Sequence, residues 1–254
     1  MPQLDIVRED RLLHLTLNRP AKRNALDASL CRELAEAFEG AAQDPAVGAI
    51  LLTANGPAFC AGMDLAEIAG RLNSVEINEL HEEIFTAGMR LNKPIVAAVH
   101  GPALGGGTGL VANCHVVVAS PTATFGLTEI RLGLWPCLIF RAVSAAVGER
   151  RAVELALTGR VFAAAEAREL GLVHEVHADA GERAREIARG LARSSPTAIQ
   201  TGLAFVQQVR GLSGQTTGEI ARLVRGDIFN SADFAEGIRA FLEKRAPEWP
   251  SLQK

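Results

Sequence analysis

The sequence predicts an α/β fold, with parallel sheets covered by helices and a helical C-terminal part. Strand-like and helix-like segments alternate through the first two-thirds of the 254 residues. The strand-like segments are near-continuous apolar runs, the pattern of strands buried on both faces of a parallel sheet. After about Gly148 the texture changes to successive amphipathic helices.

The first strand is Leu12 to Leu17 (LLHLTL), closed by Asn18-Arg19-Pro20. Leu26, Leu30, Leu34 and Phe38 then recur every four residues and mark one face of a helix, which Asp27 can cap. Val47 to Thr53 (VGAILLT) is an apolar run of strand length, followed by the polar loop Ala54 to Pro57. A helix spans roughly Val75 to Leu91. Lys93-Pro94 breaks it, and Ile95 to Val99 is the next buried strand. Gly105-Gly106-Gly107 opens a short helix, and strands follow at Val116 to Ala119 and near Thr124 to Gly126. Beyond Gly148, helices are expected at Glu149–Thr158, Ala163–Leu170, Ala178–Arg193, Thr197–Arg210, Gly218–Phe229 and Asp233–Arg245. Ser195-Pro196 supplies a cap and a first-turn proline, and only Leu172 to Val176 reads as a strand in this part.

Composition excludes several function classes. The net charge is −3, so no strong field draws nucleic acid or an anionic membrane. Aromatic residues make up 5% with no Tyr, which argues against base stacking. Cys31, Cys60, Cys114 and Cys137 form no C-x-x-C pair and no zinc pattern, and read as reduced thiols packed as small hydrophobes. Met1 to Asp5 has no basic or apolar stretch, so no signal peptide is expected, and apolar runs such as Val116 to Ala119 are too short to span a bilayer. A reducing cytoplasm fits these features.

Three segments carry possible chemistry. Ala58-Phe59-Cys60-Ala61-Gly62-Met63-Asp64-Leu65 follows a buried strand. Its small residues leave backbone N–H groups open to a ligand, or it is a tight turn into a helix capped by Asp64. Gly101-Pro102-Ala103-Leu104-Gly105-Gly106-Gly107 joins a strand to a helix. Leu110 stands where the dinucleotide fingerprint needs its last glycine, and no Gly-Lys-Ser/Thr follows, so the phosphate-binding motifs do not apply. What remains is an N–H donor aimed at a developing oxyanion, or close helix–strand packing. Glu129 is the lone carboxylate of Phe125 to Gly133. It reads either as the partner of Arg131 or another cation, or as a general acid/base in an apolar pocket, where burial raises a carboxyl pKa.

The histidines offer little. His174 and His177 follow a strand without a third metal ligand. His81 sits beside Glu82 and Glu83 and reads as part of a solvated helix face. His14 and His115 fall in strand patterns, and His100 ends one.

In this order and spacing the three segments resemble the crotonase superfamily of enoyl-CoA hydratases and isomerases. The resemblance covers nearly the whole chain, from Leu17-Asn18-Arg19-Pro20…Asn24-Ala25-Leu26 to Glu236-Gly237-Ile238…Phe241-Leu242-Glu243-Lys244-Arg245. It implies a spiral of ββα units over residues 1–195 and helices in 196–254 that assemble a homotrimer or a dimer of trimers. It implies an acyl-CoA substrate, no metal, and no cofactor beyond the CoA of that substrate. The backbone N–H groups of Ala61 and Gly106 match the oxyanion hole, with Glu129 as the proton-moving carboxylate. Lys22, Arg23, Ala25, Met63, Asp64 and Leu65 match the region that receives a bent CoA. Phe241 and Lys244 match the segment that reaches a neighbouring subunit's CoA.

One departure concerns the chemistry. Hydratases of the family typically place a second glutamate after the glycine cluster, and that position is Gly109 here. If the space beside Gly109 opens to the acyl group, a glutamate introduced there should raise hydration. Trp135, Cys137 and Leu138 either wall that space or belong to the ordinary core. The expected activity is hydration of a 2-enoyl-CoA. A Δ-isomerase using the single glutamate and a non-catalytic acyl-CoA-binding protein are the rivals. A nicotinamide-dependent oxidoreductase is a further alternative that lacks the fingerprint and its acidic residue.

Overall fold

The computed structural model describes residues 2–70 and 75–252. In chain order the elements are β1 (Leu4–Glu9), β2 (Leu12–Leu17), α1 (Ala28–Gln43), β3 (Ala49–Ala54), α2 (Leu65–Gly70), α3 (Val75–Arg90), β4 (Ile95–Val99) and β5 (Ala103–Leu104). Then come α4 (Gly106–Ala112), β6 (Val116–Ala119), β7 (Thr124–Gly126), α5 (Cys137–Val147), α6 (Glu149–Thr158), β8 (Val161–Ala163), α7 (Ala164–Leu170) and β9 (Glu175–Val176). The chain ends in α8 (Ala180–Ala192), α9 (Pro196–Val209), α10 (Gly214–Phe229) and α11 (Ala232–Glu243).

The main sheet has the order β1-β2-β3-β4-β6-β9, with β1 antiparallel to β2 and every other pair parallel. Because side chains alternate along a strand, each strand feeds two cores. Leu15, Leu17, Ile50, Leu52, Ala97 and Val117 join the core that α1 and α3 cover. Leu12, Leu51, Val96 and Val118 face the other way, onto Ala180, Ala184, Ala188 and Ala192 of α8. An alanine every fourth residue gives α8 a flat face, so it lies close on the sheet. The caps follow their residue types. Asp27, Ser195, Ser213 and Ser231 accept from the N–H three residues on, at α1, α9, α10 and α11.

A three-stranded sheet, β5-β7-β8, carries the glycine loop on one strand and leads into the Glu129 turn from another. β8 falls where only a helix start is legible, because Val161-Phe162-Ala163 is too short to show a period. β1 and α5 are also additions to the sequence reading, and β9 is confined to the end of Leu172–Val176. The signal for α5 was present: Ile139, Ala142, Val143 and Val147 are its buried residues, at helical spacing.

Candidate active site

Asn24 anchors the first wall of the site. Arg23 and Asn24 take φ of 52° and 54°, which turns the chain sharply after Pro20–Lys22. The buried Asn24 amide donates to Asn55 O and Ala58 O, both at 2.9 Å, tying this turn to the next loop. Arg19 adds a clamp, reaching Asp64 at 2.7 Å, Asp27 at 3.0 Å and Ala25 O at 3.0 Å. Asp64 therefore has its charge matched by Arg19, which holds its carboxyl below the usual range, and it also caps α2.

These ties settle how the loop's N–H groups point. Leu26 N donates to Gly62 O and Asp64 N donates to Leu26 O, each within 2.9 Å. Ala61 N donates to Arg23 O at 2.9 Å. The Ala61 N–H is thus spent on the protein, and the expectation that it faces a ligand is corrected. Between these bonds, the Met63 N–H finds no acceptor among the described residues. Gly106 N–H likewise has none, at the first residue of α4. The two segments touch: a Cβ built on Gly62, whose φ is +93°, would stand 3.4 Å from Gly106 N.

The glycine loop is held from below. Gly105 N donates to Gly126 O at 2.8 Å, and the buried Thr108 hydroxyl reaches Ala103 O and Gly126 O at 2.7 and 3.0 Å. Glycine is required at 105, where φ is +53° and a Cβ would meet Glu129 Oε1 at 3.2 Å. Glu129 thus rests against the residue next to Gly106. It sits on a 3-10 turn (Thr128–Leu132), is 7% exposed, and its Oε2 is buried without a hydrogen-bond partner. Burial raises its carboxyl above the ordinary range. Glu129 forms no ion pair with Arg131 or another cation among the described residues, so its reading as a cation's partner is set aside.

Met63, Gly106 and Glu129 line one cavity of about 450 Å³, with Phe85, Trp135 and Ile139 among its apolar walls. Cys137 and Leu138 line it as well and are exposed, so neither is ordinary core. His81 also lines it. It is 3% exposed, not on a solvated face, and burial lowers its pKa. Ile77, His81, Ile84 and Phe85 are buried together on α3, so the helical period carried this signal while the neighbouring Glu82 and Glu83 masked it.

The space beside Gly109 is closed. A Cβ there would fall 2.2 Å from Ile139 Cγ2 and 3.4 Å from Phe85 Cδ1. A glutamate at 109 therefore has no room to reach the cavity, contrary to the expectation from the sequence. The remaining candidates spread around the site. Ala25 is buried, Lys22 and Arg23 are exposed, and Leu65 is half exposed at the start of α2. Phe241 and Lys244 lie at the end of α11, with Phe241 83% exposed, and neither lines the cavity.

The sequence matches the family model for enoyl-CoA hydratase/isomerase over residues 8–252. It is 36% identical over 252 residues to a 2,3-dehydroadipyl-CoA hydratase of Escherichia coli, covering 98% of this chain and 99% of that one. It is 36% identical over 255 residues to a mevalonyl-coenzyme A hydratase of Aspergillus fumigatus, covering 94% and 91%. An enoyl-CoA hydratase structure from Mycobacterium smegmatis superposes with a TM-score of 0.91 at 34% identity, covering 98% of this chain and 99% of that one. With the motifs, the two-sheet fold and these likenesses in agreement, the chain belongs to the enoyl-CoA hydratase/isomerase family, the crotonases, and is an enzyme that acts on acyl-CoA.

Proposed function

We propose that this enzyme adds water across the double bond of a 2-enoyl-CoA. The observation that carries the reading is the convergence of two acceptor-free N–H groups and one unpartnered carboxyl on a single apolar cavity. The thioester oxygen accepts from Met63 N–H and Gly106 N–H, with Met63 taking the place expected of Ala61. Glu129 takes a proton from water as its oxygen bonds to C3, and the electron pair moves through C2 onto the thioester oxygen. The enolate then collapses as the proton on Glu129 passes to C2. Each N–H donor of this kind is worth about 3–4 kcal/mol in the transition state.

Lys22 and Arg23, exposed and outside every ion pair among the described residues, suit the CoA phosphates. Residues 196–254 serve as the trimerisation region in this reading. Ile238, Phe241 and Leu242 form an exposed apolar face on α11 that a second subunit would cover, and Lys244 would reach that subunit's CoA. No described helix is long and apolar enough to cross a membrane.

A second reading rests on Gly109. With one carboxylate and the opposite space filled by Ile139, a 1,3-proton shift needs only one base, which suits a Δ-isomerase. A panel of 2-enoyl-, 3-enoyl- and 3-hydroxyacyl-CoA thioesters, with products identified by mass and chromatography, separates the two. Formation of 3-hydroxyacyl-CoA from the 2-enoyl thioester supports hydration. Interconversion of 2- and 3-enoyl thioesters without hydration supports the isomerase. Binding of all three without hydration or isomerisation would contradict both readings.

A further inference from the structure

His81 is a polar side chain that the proposed reaction does not use. It is 3% exposed, lines the same cavity as Glu129, and lies tilted by 35° against Phe85 with 5.7 Å between ring centroids. Neither ring nitrogen bonds to any described residue. The ring nitrogens are not among the buried polar atoms without a partner, so they open onto the cavity, and a ligand that displaces its water must supply the partner. Its position says which part of the ligand. Phe85 is the α3 residue that meets the glycine loop, since a Cβ on Gly106 would stand 2.9 Å from its Cζ. His81 lies one helical turn before Phe85, about 6 Å further along α3 or the reach of about four or five single bonds.

We propose that His81 binds an uncharged hydrogen-bonding group, a hydroxyl or carbonyl, carried on the acyl chain several carbons from the thioester. This rests on the acyl-CoA reading of the cavity. Burial keeps the imidazole neutral, and a neutral imidazole offers one donor and one acceptor, as a hydroxyl does. An anionic tail fits less well, because it would share the cavity with Glu129 and lose its water. A purely alkyl tail would leave His81 unpaired.

Binding of saturated thioesters tests this without requiring turnover. Titration calorimetry compares 6-hydroxyhexanoyl-CoA, its methyl isostere heptanoyl-CoA, and adipoyl-CoA. The wild type should bind the hydroxy ester about ten-fold more tightly than heptanoyl-CoA, the scale of one hydrogen bond with its desolvation. His81→Phe should erase that preference and His81→Asn should restore part of it, with circular dichroism confirming the fold. An equal preference in His81→Phe overturns the proposal, as does tighter binding of heptanoyl-CoA or adipoyl-CoA by the wild type. Crotonyl-CoA is too short to reach His81, and its hydration is measured alongside in both proteins as a separate readout of the reaction. Absence of that hydration in the wild type would count against the reaction and leave the binding comparison standing. A loss of 100-fold in His81→Phe would put His81 at the reacting carbons and overturn the tail-binding role.

Discussion

Replacing Gly109 by Ala tests the close packing of α4 on Ile139, a residue of the cavity wall. Its new methyl would lie 2.2 Å from Ile139 Cγ2 and 2.7 Å from Ile139 Cβ, far inside van der Waals contact. Ile139 is 3% exposed and cannot swing into solvent. Overpacking of this kind costs about 1–3 kcal/mol. Alanine in place of glycine inside a helix returns up to about 1 kcal/mol, so the steric term wins. The net loss should lower Tm by roughly 2–8 °C for a chain of this size. Ile139→Ala alone should cost about 2–5 kcal/mol through the void it leaves. The two together should cost less than their sum, by about 1–3 kcal/mol, because the new methyl enters that void. Thermal unfolding of the four proteins gives the coupling directly. Strict additivity, or a Gly109→Ala protein as stable as the wild type, would refute the closed space. The functional corollary is that Gly109→Glu alone does not raise crotonyl-CoA hydration, whereas Gly109→Glu with Ile139→Ala does.

Other outcomes follow from the same geometry. Cys31, Cys60 and Cys114 are buried, and burial pushes the thiols of Cys60 and Cys114 up to about 12, whereas Cys137 is exposed on the cavity wall. A maleimide should therefore label one thiol per native chain and block turnover, with protection by a saturated acyl-CoA; labelling of several thiols, or full activity after labelling, would contradict this. Burial raises the folded-state pKa of Glu129 above its ordinary value of 4.5. Its stabilising contribution is thus complete below that ordinary value and is lost as pH rises through the raised one, so the Tm of Glu129→Gln should gain on the wild type between pH 4 and 8; a constant difference would count against the buried acid. Arg19→Met leaves Asp27 and Asp64 without their shared cation and should cost about 3 kcal/mol at neutral pH. Because the folded-state pKa of Asp64 is depressed, its part of that penalty should fade as pH drops through that pKa, which denaturant melts at two pH values would show.

The sequence made the parallel sheet legible because its strands are buried on both faces, as Val96 to Val99 and Val116 to Ala119 read. It also made most helices legible within a few residues, since Asp27, Ser195 and the Leu26–Phe38 stripe state their ends and faces plainly. Short strands escaped: Val161 to Ala163 is held by pairing with β7, which no local pattern announces. The site was legible as three segments, but not in its atoms. Which N–H faces a ligand depends on the bond from Ala61 to Arg23 O, across 38 residues of chain, and that is a tertiary fact. His81 was hidden by the two glutamates that follow it, and the closing of the Gly109 space depends on Ile139, thirty residues away.

In the proposed reaction Glu129 moves the proton in a cavity whose thioester oxygen is held by backbone N–H groups. The most direct test is crotonyl-CoA hydration by Glu129→Gln, alongside the affinity of a saturated acyl-CoA for the same protein. The substitution keeps the shape and removes the titratable group, so kcat should fall at least about 100-fold while binding stays near the wild-type value. A folded Glu129→Gln protein that hydrates crotonyl-CoA at the wild-type rate would contradict the claim.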